Sequence, residues 1–309
     1  MQPSEGFAEL WRGTAYPWEC DHMGHMNVQF FAAKCCEAAG WLAHCIGLSP
    51  SVATREQRAL VPAEDYVRYL REVRGGDILL VRGAVLAHTD SALEYALEVI
   101  DAASDEVCAT SRVSAVLTDM RSGRPLAWSS TERGRADALR RDWGGEGAPR
   151  AALPDPNLAR RADADADRES GCLDTYRGTV QASECDQFGR MAPGACTARI
   201  SHAVWQFGYA LGTGPEFYRA GHLSAALYYH IHTHQAARAG DVLSMLSGLT
   251  GHSASRNRCL HKLYNAETGA LVATADTMGI HLDAHSRRPT PWPKEVLQRR
   301  RAKLIEGAA

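Results

Sequence analysis

The chain has 309 residues, 45% of them apolar and 23% charged, with a formal net charge of -2. That length suits two ordinary domains, each able to bury a core, and the composition excludes wholesale disorder. The near-neutral charge gives no long-range pull toward nucleic acid, the opening MQPSEGFAEL lacks the pattern of a secretory signal, and no apolar run reaches the ~18 residues that span a bilayer.

The first predicted element is an extended stretch over Glu9–Trp18, followed by a polar, glycine-containing loop over Cys20–Met26. The spacing then predicts a helix over Val28–Ile46. Its apolar positions cover most of the circumference and leave Lys34, Glu37 and His44 as one narrow polar line, so other structure must wrap it. Strands follow over Asp77–Ala87, Ala92–Ile100 and Val107–Thr118, with short turns that make them antiparallel neighbours. From about Ser129 to Gly171 the chain is rich in Ala, Arg, Asp, Gly and Pro and reads as a linker, with a short helix near Glu132–Trp143.

The order then repeats. RGTAYPWECDHMGHM from Arg12 answers RGTVQASECDQFGRM from Arg177, and 12 of 39 positions are identical across 12–50 and 177–215. After one deletion the match resumes, pairing Gly76-Asp77 with Gly240-Asp241, His88 with His252, and Trp128 with Trp292. A register held this long marks an internal duplication. In the second copy Pro193 stands where the helix should start. Arg199, His202 and Gln206 hold the narrow polar line, and strands are expected over Val242–Thr250, Arg256–Tyr264 and Leu271–Leu282. Three domains follow: an N-terminal unit over 1–128, a linker over 129–171 and a C-terminal unit over 172–309. The basic run Arg299, Arg300, Arg301 and Lys303 near the end reads as the solvated face of a terminal helix. Nine cysteines without a C-x-x-C pair fit a reduced, cytoplasmic chain.

One buried helix with a strongly curved antiparallel sheet is an α+β architecture. The string Glu19-Cys20-Asp21-His22-Met23-Gly24-His25-Met26-Asn27, then Tyr66-Val67-Arg68-Tyr69-Leu70 and Gly76-Asp77, resembles the hot-dog-fold thioesterases of the 4-hydroxybenzoyl-CoA type. The resemblance covers both copies. It implies two tandem hot-dog units paired as an intrachain pseudo-dimer, with active sites at the seam. It further implies an acyl-CoA substrate, no cofactor, no metal, and Asp21 as the catalytic carboxylate. A homodimer of the fused pair is a further possible assembly, and neither nucleic acid nor membrane is an expected partner.

The residues themselves fit that chemistry. Thioester hydrolysis needs a base for water or a carboxylate nucleophile, which Asp21 supplies. Gly24 lets the backbone approach the thioester, and amides near Gly24–His25, at the electropositive start of a helix, are natural oxyanion donors. Asn27 can cap that helix or orient water. The second copy keeps Asp186 and Gly189 but has Arg190 for His25 and Ala192 for Asn27, so one working site is expected. On a strand, His230, His232 and His234 share one face. Such a face suits zinc, but no fourth ligand is evident and the preferred reading is a pocket wall. Arg68, Arg71, Arg74, Arg256 and Arg258 are candidates for the coenzyme A phosphates. Two other activities compete: an enoyl-thioester hydratase, whose D-x-N-P-x-H pattern is not found here, and a non-enzymatic acyl-CoA-binding or regulatory protein.

Overall fold

The computed structural model describes residues 1–144 and 162–305. The centre of the expected linker, 145–161, and the last four residues lie outside that description. Two compact units result. The first contains residues 1–144 together with Cys185–Ala195, the loop that opens the second copy's helix. The second contains the rest of the C-terminal half.

In the N-terminal unit, strands β1 (Ala8–Thr14), β2 (Arg58–Tyr69), β3 (Ile78–His88), β4 (Ala92–Asp101) and β5 (Glu106–Asp119) form an antiparallel run ordered β1-β3-β4-β5-β2. Helix α1 (Val28–Ile46) has the predicted bounds and packs on β1, β3 and β4. It buries Phe31, Cys35, Ala38, Leu42 and Ile46, spaced three and four apart as one helical face demands. Gly47 ends it in the left-handed region at φ 111, where a side chain would be strained and a Cβ would meet the Arg135 guanidinium at 2.5 Å. Sequence reading missed the short helix α2 (Pro50–Glu56). Within the stretch expected to link the copies, α3 (Ser130–Ala138) closes on itself through a Ser129–Glu132 capping box, and its Ala136 enters the main core.

The C-terminal unit repeats the plan with β6 (Leu173–Thr179), β7 (His222–Thr233), β8 (Val242–His252), β9 (Arg256–Asn265) and β10 (Leu271–Asp283), ordered β7-β10-β9-β8-β6. Its central helix begins at Pro193 and runs to Ala210. Phe207 from that helix packs on Leu249 and Cys259. Even the ladder irregularities recur. Register shifts at Glu9/Trp11 and Val85/Ala87 return at Asp174/Tyr176 and Leu249/Gly251. The shifts beside Ala63 and Cys108 return beside Leu227 and Val272. Bulges bend a strand and sharpen its twist, so both sheets curve at matching places. Both units are thus the curved sheet and long helix of a hot-dog fold. Among the described residues no helix is long and apolar enough to cross a membrane.

The cores differ in one respect. Leu10, Gly83 and Leu97 form an apolar row across the first sheet, with buried Val113 diagonal to Leu97, so tight that a Cβ on Gly83 would meet Leu10 and Leu97 at 2.7 Å. The corresponding row in the second unit is polar: Thr175, Ser247, His261 and Thr277. Ser247 Oγ lies 2.7 Å from Thr175 Oγ1 and 2.7 Å from His261 Nδ1, while His261 Nε2 reaches Thr277 Oγ1 at 3.1 Å. With both ring nitrogens bonded inside the fold, burial pushes the His261 imidazolium down to about 3. The unfolded chain binds a proton here from about pH 6.5 downward and the folded chain does not. Stability is therefore complete above that pH and is lost as the pH falls toward 3. Urea titrations should show the unfolding free energy falling by about 1 kcal/mol per pH unit between pH 6 and 5. His261→Gln should flatten that slope.

Candidate active site

The loop that carries Asp21 is fixed from three sides. A 3-10 turn, Pro17–Glu19, leads into it. Cys20 and Met26 form an isolated antiparallel bridge that pinches the loop shut, and Met26 N–H donates to Val73 O at 2.7 Å. The Gly76-Asp77 turn clasps Ala15 through two backbone hydrogen bonds of 2.7 and 2.9 Å.

A buried ion pair provides the third hold. Lys34 Nζ donates to both oxygens of Glu19, at 2.7 and 2.8 Å, and Tyr16 N–H donates to Glu19 Oε2 at 3.0 Å. Lys34 is only 4% exposed. This corrects the expected polar line on the helix: Lys34 faces inward to the turn, while the large apolar Trp41 is exposed. The second copy keeps the device with Arg199 donating to Glu184 at 2.8 and 3.1 Å. There the Arg199 guanidinium holds the Glu184 carboxyl below its ordinary range. The signal was legible, because an acid at 19 and 184 and a cation at 34 and 199 hold the same register in both copies. Removing one partner strands a buried charge, so Lys34→Ala should lower unfolding free energy by about 3 kcal/mol in chemical denaturation.

Within this frame Asp21, Gly24, His25 and Asn27 share one loop, as expected. Asp21 Oδ1 accepts from Met23 N–H at 2.8 Å. Asp21 Oδ2 lies 3.6 Å from His25 Nδ1, too far for a hydrogen bond, and both side chains are mostly covered. Gly24 takes the left-handed conformation at φ 81 that the turn needs. Its N–H donates to Asp21 O at 3.0 Å, so the turn consumes that amide and it is not an oxyanion donor. The His25 N–H, by contrast, has no hydrogen bond among the described residues. Asn27 Oδ1 caps α1 by accepting from Gln29 N–H at 3.0 Å.

The second copy's loop has the same backbone and a different electrostatic fate. Gly189 N–H donates to Asp186 O at 2.9 Å. Arg190 reaches Asp186 Oδ2 through Nε at 2.9 Å and Nη2 at 2.7 Å, and its own N–H donates to Oδ1 at 3.0 Å. The carboxylate is therefore neutralised and fully occupied. The loop's Phe188 packs against the main core of the N-terminal unit.

The remaining candidates sort differently. His230 and His232 on β7 have rings 4.5 Å apart, as a shared strand face requires, and His234 Nε2 lies 3.0 Å from Thr274 Oγ1. Arg68 is buried on β2, opposite Thr110. Arg258 is committed to Asp276, with Nε and Nη2 at 2.8 and 2.9 Å, and Arg71 pairs with Glu106. Neither is left for a phosphate. Arg256 stays exposed, and Arg74 is exposed 3.9 Å from Glu72.

The sequence matches the thioesterase-like superfamily over residues 16–143 and again over 180–299. Solved structures agree on the fold. An acyl-ACP thioesterase from Bacteroides thetaiotaomicron superposes with a TM-score of 0.64 at 13% identity, covering 89% of this chain and 98% of its own. The 12:0-ACP thioesterase from Umbellularia californica gives 0.63 at 15% identity, covering 91% and 93%. No match is found among curated protein sequences.

Proposed function

Because the chain belongs to the thioesterase-like superfamily, we propose that it hydrolyses an acyl-CoA thioester to the free acid and coenzyme A at a single site built on the Asp21 loop. The observation that carries this reading is the contrast between the two loops. Asp186 is clamped by a guanidinium, whereas Asp21 Oδ2 is held within a mostly covered loop with no hydrogen bond among the described residues.

In this mechanism Asp21 takes a proton from water as the water oxygen attacks the thioester carbon; direct attack by the carboxylate is the alternative route. The carbonyl oxygen becomes negative and meets the unspent His25 N–H at the electropositive start of α1. Collapse of the tetrahedral intermediate breaks the C–S bond and releases the thiolate. Asn27 acts from behind, holding the helix end in place by its cap. His230, His232, His234 and Arg68 are proposed as substrate-binding residues.

The proposal separates from its rivals by the product. A hydrolase releases free thiol, a binding protein saturates without releasing it, and a hydratase consumes an enoyl thioester while keeping the C–S bond. A thiol-release assay should therefore use saturated and unsaturated acyl-CoAs, with acyl-ACP included because the two solved structures above are named for it. Asp21→Asn should lower kcat by at least about 100-fold with an unchanged melting curve. Asp186→Asn should leave turnover nearly intact. A loss of less than about tenfold in the Asp21 variant would remove it from the chemistry.

A further inference from the structure

The basic run near the C-terminus does not behave as a solvated face throughout. Arg299, Arg301 and Lys303 are exposed, but Arg300, on the helix Lys294–Arg301, is turned inward and only 2% exposed. Its Cζ sits 3.7 Å from the centre of the Trp292 ring. That stacking serves one face of the guanidinium and leaves its in-plane donors needing acceptors. Nε and Nη1 find none among the described residues. Beside it, the fully buried His281 ring stacks on Trp292 at 4.7 Å between centres. His281 Nε2 lies 3.1 Å from His222 Nδ1.

The first copy shows what this place looks like when balanced. The corresponding residues there are Ala136 for Arg300, Leu117 for His281, Arg58 for His222 and Glu132 for Val296. Arg58 pairs with Glu132 at 2.7 Å, so cation and carboxylate come together. The second copy has exchanged that carboxylate for valine and placed a new cation deeper in the core. Trp128 Nε1 and Trp292 Nε1 are both unpartnered, so the indole is common ground; the guanidinium and imidazole are what changed.

We propose that this cluster is an oxyanion-binding site of the C-terminal unit, in which Arg300 receives a carboxylate or phosphate group and Trp292, His281 and His222 form the surround. A buried ion without a partner is strongly destabilising, and a fold that keeps one gains by binding its counter-ion. Burial lowers the Arg300 guanidinium to about 10, so the group remains charged at neutral pH. The orphaned atoms of Arg300 and Trp292 are N–H donors, which select an acceptor and exclude a metal cation.

The test is thermal unfolding of the full chain in acetate, in inorganic phosphate and in chloride, at equal ionic strength. Acetate or phosphate should raise Tm saturably above chloride, by at least about 3 °C at high ligand. Whichever anion does so identifies the group bound. Arg300→Ala, the residue of the first copy, should abolish the anion-specific rise. Arg300→Met keeps the volume and should do the same, while being more stable than the parent in anion-poor buffer. Equal Tm in all three salts, or an undiminished rise in both variants, overturns the site.

Discussion

The buried pair between Glu19 and Lys34 is the constraint on which the proposed site depends. A carboxylate at the mouth of a helix is useful only if loop and helix keep a fixed relation. Backbone hydrogen bonds alone would let a short turn hinge about its ends. The pair joins the last residue of the 3-10 turn to the second turn of α1, 15 residues on, with two hydrogen bonds below 3 Å. Being shielded from water, it is screened little by salt and is strongly directional. The second copy's Arg199 and Glu184 preserve the device with a different cation, so the geometry and the charge product matter more than the side chain.

The two loops share a backbone and differ in what faces the carboxylate. The loop backbone is nearly the same in both copies, down to the glycine turn and the Cys–Met bridge. What changed is which group faces the carboxylate. A histidine at 3.6 Å leaves one oxygen of Asp21 uncommitted, while an arginine at the same place satisfies Asp186 from within. A single substitution thus separates a carboxylate with one oxygen left unbonded among the described residues from one held by a guanidinium.

Elsewhere the copies drift by compensated exchange. Glu94 pairs with Arg112 in the first unit, and Arg258 with Asp276 in the second, with the signs reversed at corresponding positions. Glu98 captures Ser4 and Trp143, whereas Lys262 at the matching position captures Asp167. A buried polar group survives when its partner changes with it, because the desolvation penalty falls on unpaired groups. Arg300 departs from that pattern: among the described residues its Nε and Nη1 have no acceptor, which is the basis for the proposed anion site.

The sequence by itself determined the duplication, the bounds of α1, three strands in each copy and the Asp21–Asn27 loop. These are local matters: an apolar period, turn residues and a repeated register need no knowledge of what lies across the fold. It also held the contrast between His25 and Arg190. Tertiary structure alone decided that Lys34 and Arg300 point inward, that Gly24's amide is spent while His25's has no acceptor among the described residues, and that Arg258 is bound to Asp276. A charged residue's spacing along a helix is the same whether it meets water or a buried partner. Only the elements packed against it, brought from distant parts of the chain, settle whether its charge is solvated, paired or left waiting for a ligand.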